Sequence, residues 1–197
     1  MLLAALFLLG CLGWQELQKA SNRSKAICCN CNLKQIGLAF RTWALDHYDT
    51  NPMDIPRESG GTRQYLASGE VFRHFLAMSN ELSTPRILVC PKDCRLPVLN
   101  FGASLANSNL SYFVGFVTNA ENPQMFLSGD RDLTNGALLP NGVLELRTNS
   151  LAGWRGNIHR EFGNIALADG SVEAFTTARL RDALRWTGVA TNRLAMP

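Results

Sequence analysis

Apolar residues recur at Leu33, Ile36, Phe40 and Trp43, a three-then-four spacing that places them on one helical face and predicts one long helix from Leu2 to about His47. Its front half, Leu2 to Trp14, carries no charge, whereas Glu16, Lys19, Arg23 and Lys25 follow within about three turns. The polarity therefore changes along the axis as well as around it. A helix apolar at one end and one-sided at the other suits a protein standing in a membrane or a hydrophobic filament core, with a globular head on its far half. Pro52 requires the helix to stop near Asp49, because the residue ahead of a proline avoids helical angles, and Asn51 to Gly61, rich in Pro and Gly, then forms a loop.

After Ser68, an N-cap candidate, Val71, Phe72, Phe75 and Leu76 have helical spacing and predict a short helix ending before Ser79. The period then changes to that of strands at Ile87 to Cys90, Leu110 to Phe116, Met125 to Ser128 and Val143 to Arg147. In GNIALADGSVEAF, Ile165 and Leu167 alternate with alanines, and Asp169-Gly170 offers the positive φ of a tight hairpin turn before Val172 and Phe175. A helix from about Thr177 to Trp186 follows, with Leu180 and Leu184 four apart, and the tail after Gly188 has no assignment. The expected fold is α+β: residues 1–50 form a spine helix packed on the small antiparallel sheet of a head spanning 51–197. Ile165, Leu167 and Val172 are expected against the spine near Phe40 and Trp43, because a sheet with one apolar face must cover it.

At 197 residues the chain accommodates one domain and an appendage. A net charge of +3 with scattered Lys and Arg marks no nucleic-acid surface. The opening apolar run is roughly thirteen residues, whereas an unaided bilayer crossing takes about twenty. No basic residue precedes Lys19, as a secretory leader would require. An in-frame basic leader upstream of Met1 would complete the span, and Leu8-Leu9-Gly10-Cys11 offers a second route to a membrane as a lipobox-like string.

Six cysteines fall as Cys11, the cluster Cys28, Cys29 and Cys31, and the pair Cys90 and Cys94. Three chemistries suit the cluster and the pair: a disulfide from the helix to Cys90 or Cys94, four thiolates around zinc, or buried free thiols. Zinc would require ligand knuckles where Cys28 and Cys31 sit mid-helix, so the sharper expectation is a Cys31–Cys90 bridge stapling the spine to the first strand. His47, His74 and His159 are candidates for a Cys-His nucleophile, but nothing local marks a reactive thiol, and no enzyme is expected. His159 is expected to hold a loop by hydrogen bonding.

NLKQIGLAF, the Cys-Pro of ILVCPKD, and His159 with Asp169-Gly170 ten and eleven places on together resemble the type IV pilin-like and pseudopilin proteins of bacterial type II secretion, in the branch with a prepilin-type N-terminus and a C-terminal His-x9-Asp-Gly motif. The resemblance covers nearly the whole chain; the family's Gly-Phe-Thr-Leu-Ile-Glu-like processing site is missing. It implies a prepilin-derived structural subunit of a type II secretion or type IV pilus-like assembly. Such a subunit sits in the inner membrane through its N-terminal helix, pairs with itself or other pilin-like subunits, and carries a periplasmic or extracellular head. The rival is a lipid-anchored or exported extracytoplasmic binding module. Asp130, Asp132 and Asn135, followed by Gly136, have spacings reminiscent of a calcium loop, and the resemblance implies that such a loop can hold calcium; an ordinary Asx-rich turn is the alternative, and no other cofactor is expected.

Overall fold

The computed structural model describes residues 2–66, 68–116, 122–137 and 140–197, with side chains in the first helix from Trp14 onward. Helix α1, Leu2–Leu45, runs 44 residues, about 66 Å at the rise of an α-helix. Its face of Cys29, Leu33, Ile36, Phe40 and Trp43 is buried, as the spacing of its four largest members requires. From Trp14 to Lys25 every residue is exposed. The apolar front run and the lipobox-like string lie outside the described side chains. The helix closes where the His47 ring meets the Trp43 carbonyl at 2.8 Å and stacks on the Trp43 indole at 3.6 Å, after which Tyr48 and Asp49 take positive φ. Among the described residues, no helix is long and apolar enough to cross a membrane.

Two short helices, α2 (Phe72–Ala77) and α3 (Ser79–Leu82), follow and bury Val71, Phe75, Met78 and Leu82 beside α1. The strand expected at Ile87 to Cys90 is absent: Pro85–Leu88 is a 3-10 turn whose N-cap hydroxyl, Thr84 Oγ1, accepts from the Arg86 amide. Pro85 at its first position presets the helical φ.

The strands are β1 (Tyr112–Gly115), β2 (Phe126–Asp130), β3 (Leu133–Thr134), β4 (Val143–Arg147), β5 (Gly153–Trp154), β6 (Phe162–Leu167), β7 (Val172–Thr176) and β8 (Thr191–Ala195). Six form an antiparallel sheet in the order β4-β8-β1-β2-β6-β7, and β3 pairs with β5 as a separate ribbon. The unassigned tail thus supplies an interior strand. Helix α4, Thr177–Ala183, starts at the Thr176 hydroxyl, which accepts from the Arg179 amide.

This sheet is apolar on both faces, which corrects the expectation of a single covered face. Tyr112, Val114, Leu127 and Ala166 join α1 in one core. Phe113, Phe126, Ile165 and Leu167 form the other, with Leu180 and Leu184 of the α4 region and Leu133 of the ribbon. Ile165 and Leu167 therefore point away from the spine, and only Val172 of the three expected contacts packs on its side. Alanine faces the helix because the approach is close: a Cβ built on Gly37 would stand 4.0 Å from that of Ala166. Small residues let helix and sheet meet, and strand alternation sends the larger neighbours to the opposite face.

Asp169 and Gly170 form the β6–β7 turn as expected. Gly170 has φ +87°, its amide donates to the Leu167 carbonyl at 2.9 Å, and Asp169 Oδ1 accepts from the Ser171 amide at 2.8 Å. Gly170→Val should cost about 1–3 kcal/mol, since a β-branched residue resists that backbone. Thermal unfolding checks it: a variant that melts with the parent would show that the turn relaxes freely.

Candidate functional site

The most unusual chemistry lies inside the head, where α1, the Cys-Pro segment, the end of β2 and the loop before β6 converge. Cys29 belongs to the buried stripe of α1, one turn before Leu33. Cys90 follows the 3-10 turn, Asp130 ends β2, and His159 lies three residues before β6. All four are buried, and one potential ligand atom from each lies within 4.8 Å of the others.

The separations are short and even. His159 Nε2 stands 3.4 Å from Cys29 Sγ, 3.7 Å from Cys90 Sγ and 3.4 Å from Asp130 Oδ2. Cys29 Sγ lies 3.4 Å from Asp130 Oδ1 and 3.3 Å from the Tyr112 hydroxyl. Asn164 fixes the carboxylate: its amide N–H donates to Asp130 Oδ2 at 2.6 Å and its side-chain Nδ2 at 3.1 Å. That Nδ2 also reaches His159 Nε2 at 3.3 Å and Cys29 Sγ at 3.7 Å. The imidazole stacks on Phe162 with ring centres 5.0 Å apart, and its Nδ1 is buried without a hydrogen-bond partner among the described residues.

Burial and proximity divide the protons unequally. The thiol hydrogen bond to Cys90, burial and the Asp130 charge hold Cys29 in its neutral form. That same hydrogen bond, with His159 close by, pulls the Cys90 thiol below its usual range despite burial. Burial pushes Asp130 up to about 6. Burial draws His159 down, but hydrogen bonding to Cys90 and the charges of Asp130 and Cys90 outweigh it, so its pKa is raised. Burial, with the charges of Cys29, Asp130 and Cys90, raises Tyr112 as well. With every sulfur, nitrogen and oxygen of the set inside the core, the group can hold an ion or share a proton, but it presents no atom to a substrate from solution.

Neighbouring residues hold the segments in place. Asp93, three places after Cys90, takes a two-pronged ion pair from Arg131 Nε and Nη2, both at 2.7 Å, and a hydrogen bond from Ser111 Oγ at 2.8 Å. Arg131 follows Asp130 in the chain, so this fork ties the Cys90 segment to the end of β2. Asp132 Oδ2 accepts from the amides of Asn157 at 2.5 Å and Ile158 at 3.0 Å, anchoring the loop that delivers His159.

At the candidate calcium loop the structure has the alternative, an Asx turn, with the three residues directed to different partners. Asp130 faces the buried cluster, Asp132 holds the His159 loop, and Asn135 forms an Asx turn to Ala137 at 2.9 Å while its Nδ2 donates to the Glu145 carbonyl. Strand direction separates them, because β2 ends with Asp130 aimed inward and the chain turns before β3. The Cys31–Cys90 staple is not formed either: Cys31 is exposed and Cys90 buried, and both are free thiols, as are Cys28 and Cys94. Two residues along a helix turn a side chain by about 200°, so Cys29, not Cys31, faces Cys90. The motif residues also part: His159 and Asp169-Gly170 flank β6 at its two ends, separated by roughly 20 Å of extended strand. His159 serves the interior cluster and Asp169-Gly170 the turn. Compared with protein-family models, curated proteins and solved structures, the chain shows no match.

Proposed function

We propose that the chain is a non-enzymatic structural subunit of a pilus-like or secretion assembly, a pseudopilin-like protein of the cell envelope whose long helix packs against copies of itself or related subunits. The observation that carries this reading is a line of exposed apolar residues on α1, interrupted by the exposed Lys34 and Arg41. Ile27, Leu38 and Leu45 are 56, 64 and 69% exposed and stand eleven and seven residues apart. At about 100° per residue they fall within about 20° of one line, nearly opposite the stripe of Cys29, Leu33, Ile36 and Phe40. Farther forward, Trp14 and Leu17 are 64 and 67% exposed. A helix that buries one face in its own head and carries leucines on the opposite face supports packing between subunits. Placement at the inner membrane, with the head outside the cytoplasm, rests on the resemblance of NLKQIGLAF and the C-terminal motif to pilin-like proteins.

The full chain, sedimented in reducing buffer over a range of concentrations, should self-associate reversibly. Leu38→Glu, whose side chain lies away from the core, should weaken association at least about tenfold, the equivalent of one lost leucine burial. A parent chain that stays monomeric at every concentration would overturn the proposal in favour of an exported binding module.

A further inference from the structure

We propose that Cys29, Cys90, Asp130 and His159 are the four ligands of a zinc-class transition-metal ion that pins the spine helix to the sheet of the head. Zinc bound tetrahedrally at 2.0–2.3 Å by sulfur, nitrogen and oxygen places neighbouring donors about 3.3–3.8 Å apart. Three of the separations given above, 3.4 Å from His159 Nε2 to Cys29 Sγ, 3.7 Å from His159 Nε2 to Cys90 Sγ and 3.4 Å from Cys29 Sγ to Asp130 Oδ1, match those edges, and one ligand atom from each of the four residues lies within 4.8 Å of the others. Two thiolates and an imidazole also select by softness, favouring zinc or cobalt over the hard cations calcium and magnesium.

The surroundings fit an ion. Four ionisable side chains share one fully buried site, and without a cation they neutralise one another only by sharing protons. Asn164 takes up Asp130 Oδ2 with two N–H groups, which leaves Oδ1, the oxygen beside Cys29, for coordination. The Tyr112 hydroxyl stands where it can donate to the Cys29 thiolate. These are the outer contacts that orient metal ligands and tune their basicity. Binding would release to solvent whatever protons Cys29, Cys90, Asp130 and His159 Nε2 carry, with no change of oxidation state. The donors come from positions 29, 90, 130 and 159, so one ion would join the helix to three segments of the head. This inference is independent of the assembly proposal, because the ligands lie inside one chain.

The test is cobalt titration of the full-length chain, reduced and freed of metal, using a variant with Cys11, Cys28, Cys31 and Cys94 replaced by serine so that Cys29 and Cys90 are its only thiols. One equivalent of cobalt should produce the intense visible bands of a tetrahedral site and the near-ultraviolet thiolate-to-cobalt band, both displaced by zinc, and zinc should raise the melting temperature. Asn164→Ala, which removes an outer contact and no ligand, should weaken cobalt binding about 10–100-fold. Absent tetrahedral bands in the well-folded four-serine variant would overturn the proposal. So would a Cys29–Cys90 disulfide found by mass spectrometry in protein purified and alkylated without oxidants or reductants, or cobalt binding that survives His159→Gln and Asp130→Asn together.

Discussion

Phe40→Ala is expected to destabilise the protein by about 3–5 kcal/mol, the range for truncating a buried aromatic side chain. Phe40 is 1% exposed and sits mid-stripe between Ile36 and Trp43, in the core that also holds Tyr112, Val114, Leu127 and Ala166. The loss exceeds the transfer free energy of the ring because its walls come from two rigid elements, the helix and the sheet. A cavity therefore remains and adds to the cost. Leu38→Ala, two residues away on the exposed face, should change stability by less than about 0.5 kcal/mol. Urea denaturation of both variants checks the pair, and equal losses would mean that the helix does not hold the head through this face.

Asp93→Ala should cost a similar amount, about 3–5 kcal/mol, because it leaves Arg131 without its partner. The Asp93 side chain is 1% exposed and that of Arg131 19%, so solvent can replace the lost contacts only at the arginine. The guanidinium of Arg95 lies nearby, hydrogen-bonded to the carbonyls of Asn107 and Leu110, and the missing carboxylate would leave two arginines facing one another. The same interaction has an acid signature. Burial alone would raise Asp93, but the hydrogen bonds from Arg131 and Ser111 outweigh it and lower its pKa to about 2. A depressed carboxylate stabilises fully above its unfolded pKa of about 3.9 and loses that contribution as pH falls from there toward 2, on the order of 2 kcal/mol in all. Stability measured across that interval should fall in the parent and flatten in Asp93→Asn; an unchanged slope would remove Asp93 as its source.

Much of this architecture is legible in local pattern. The face of Leu33, Ile36, Phe40 and Trp43, the Asp169-Gly170 turn and the helices near Phe72 and Thr177 depend on neighbours within a few residues, and periodicity reports them. β8 does not announce itself, because Thr191–Ala195 is short and mixed and becomes a strand only between β4 and β1. The facing of Ile165 and Leu167 was misleading for a related reason: side-chain size suggests what is buried, but with both faces buried it cannot say which face meets the helix.

The buried cluster was visible residue by residue and hidden as a set. Cys29 continues the helical stripe, spaced 29, 33, 36, 40 and 43, and that phase alone separates it from exposed Cys28 and Cys31. Asp130 carries a subtler sign, an acid closing an otherwise uncharged strand, FLSGD. Nothing local links these two to Cys90 and His159; His159 meets Cys90 across 69 residues and Cys29 across 130, contacts that only the tertiary fold makes.

On our proposal α1 does two separate jobs: it buries the face of Cys29 to Trp43 in the head, and it packs its exposed apolar residues, Trp14 and Leu17 in front and Ile27, Leu38 and Leu45 behind, on a partner subunit. Amide hydrogen exchange along the helix of the full-length chain tests it directly. In dilute monomer, amides from Cys29 to Trp43 should exchange only through global unfolding, whereas those from Trp14 to Lys25, where every residue is exposed, should exchange orders of magnitude faster. At concentrations where the chain associates, the front amides should become protected. Equal protection of both halves in the monomer, or a front half still unprotected after association, would contradict the account.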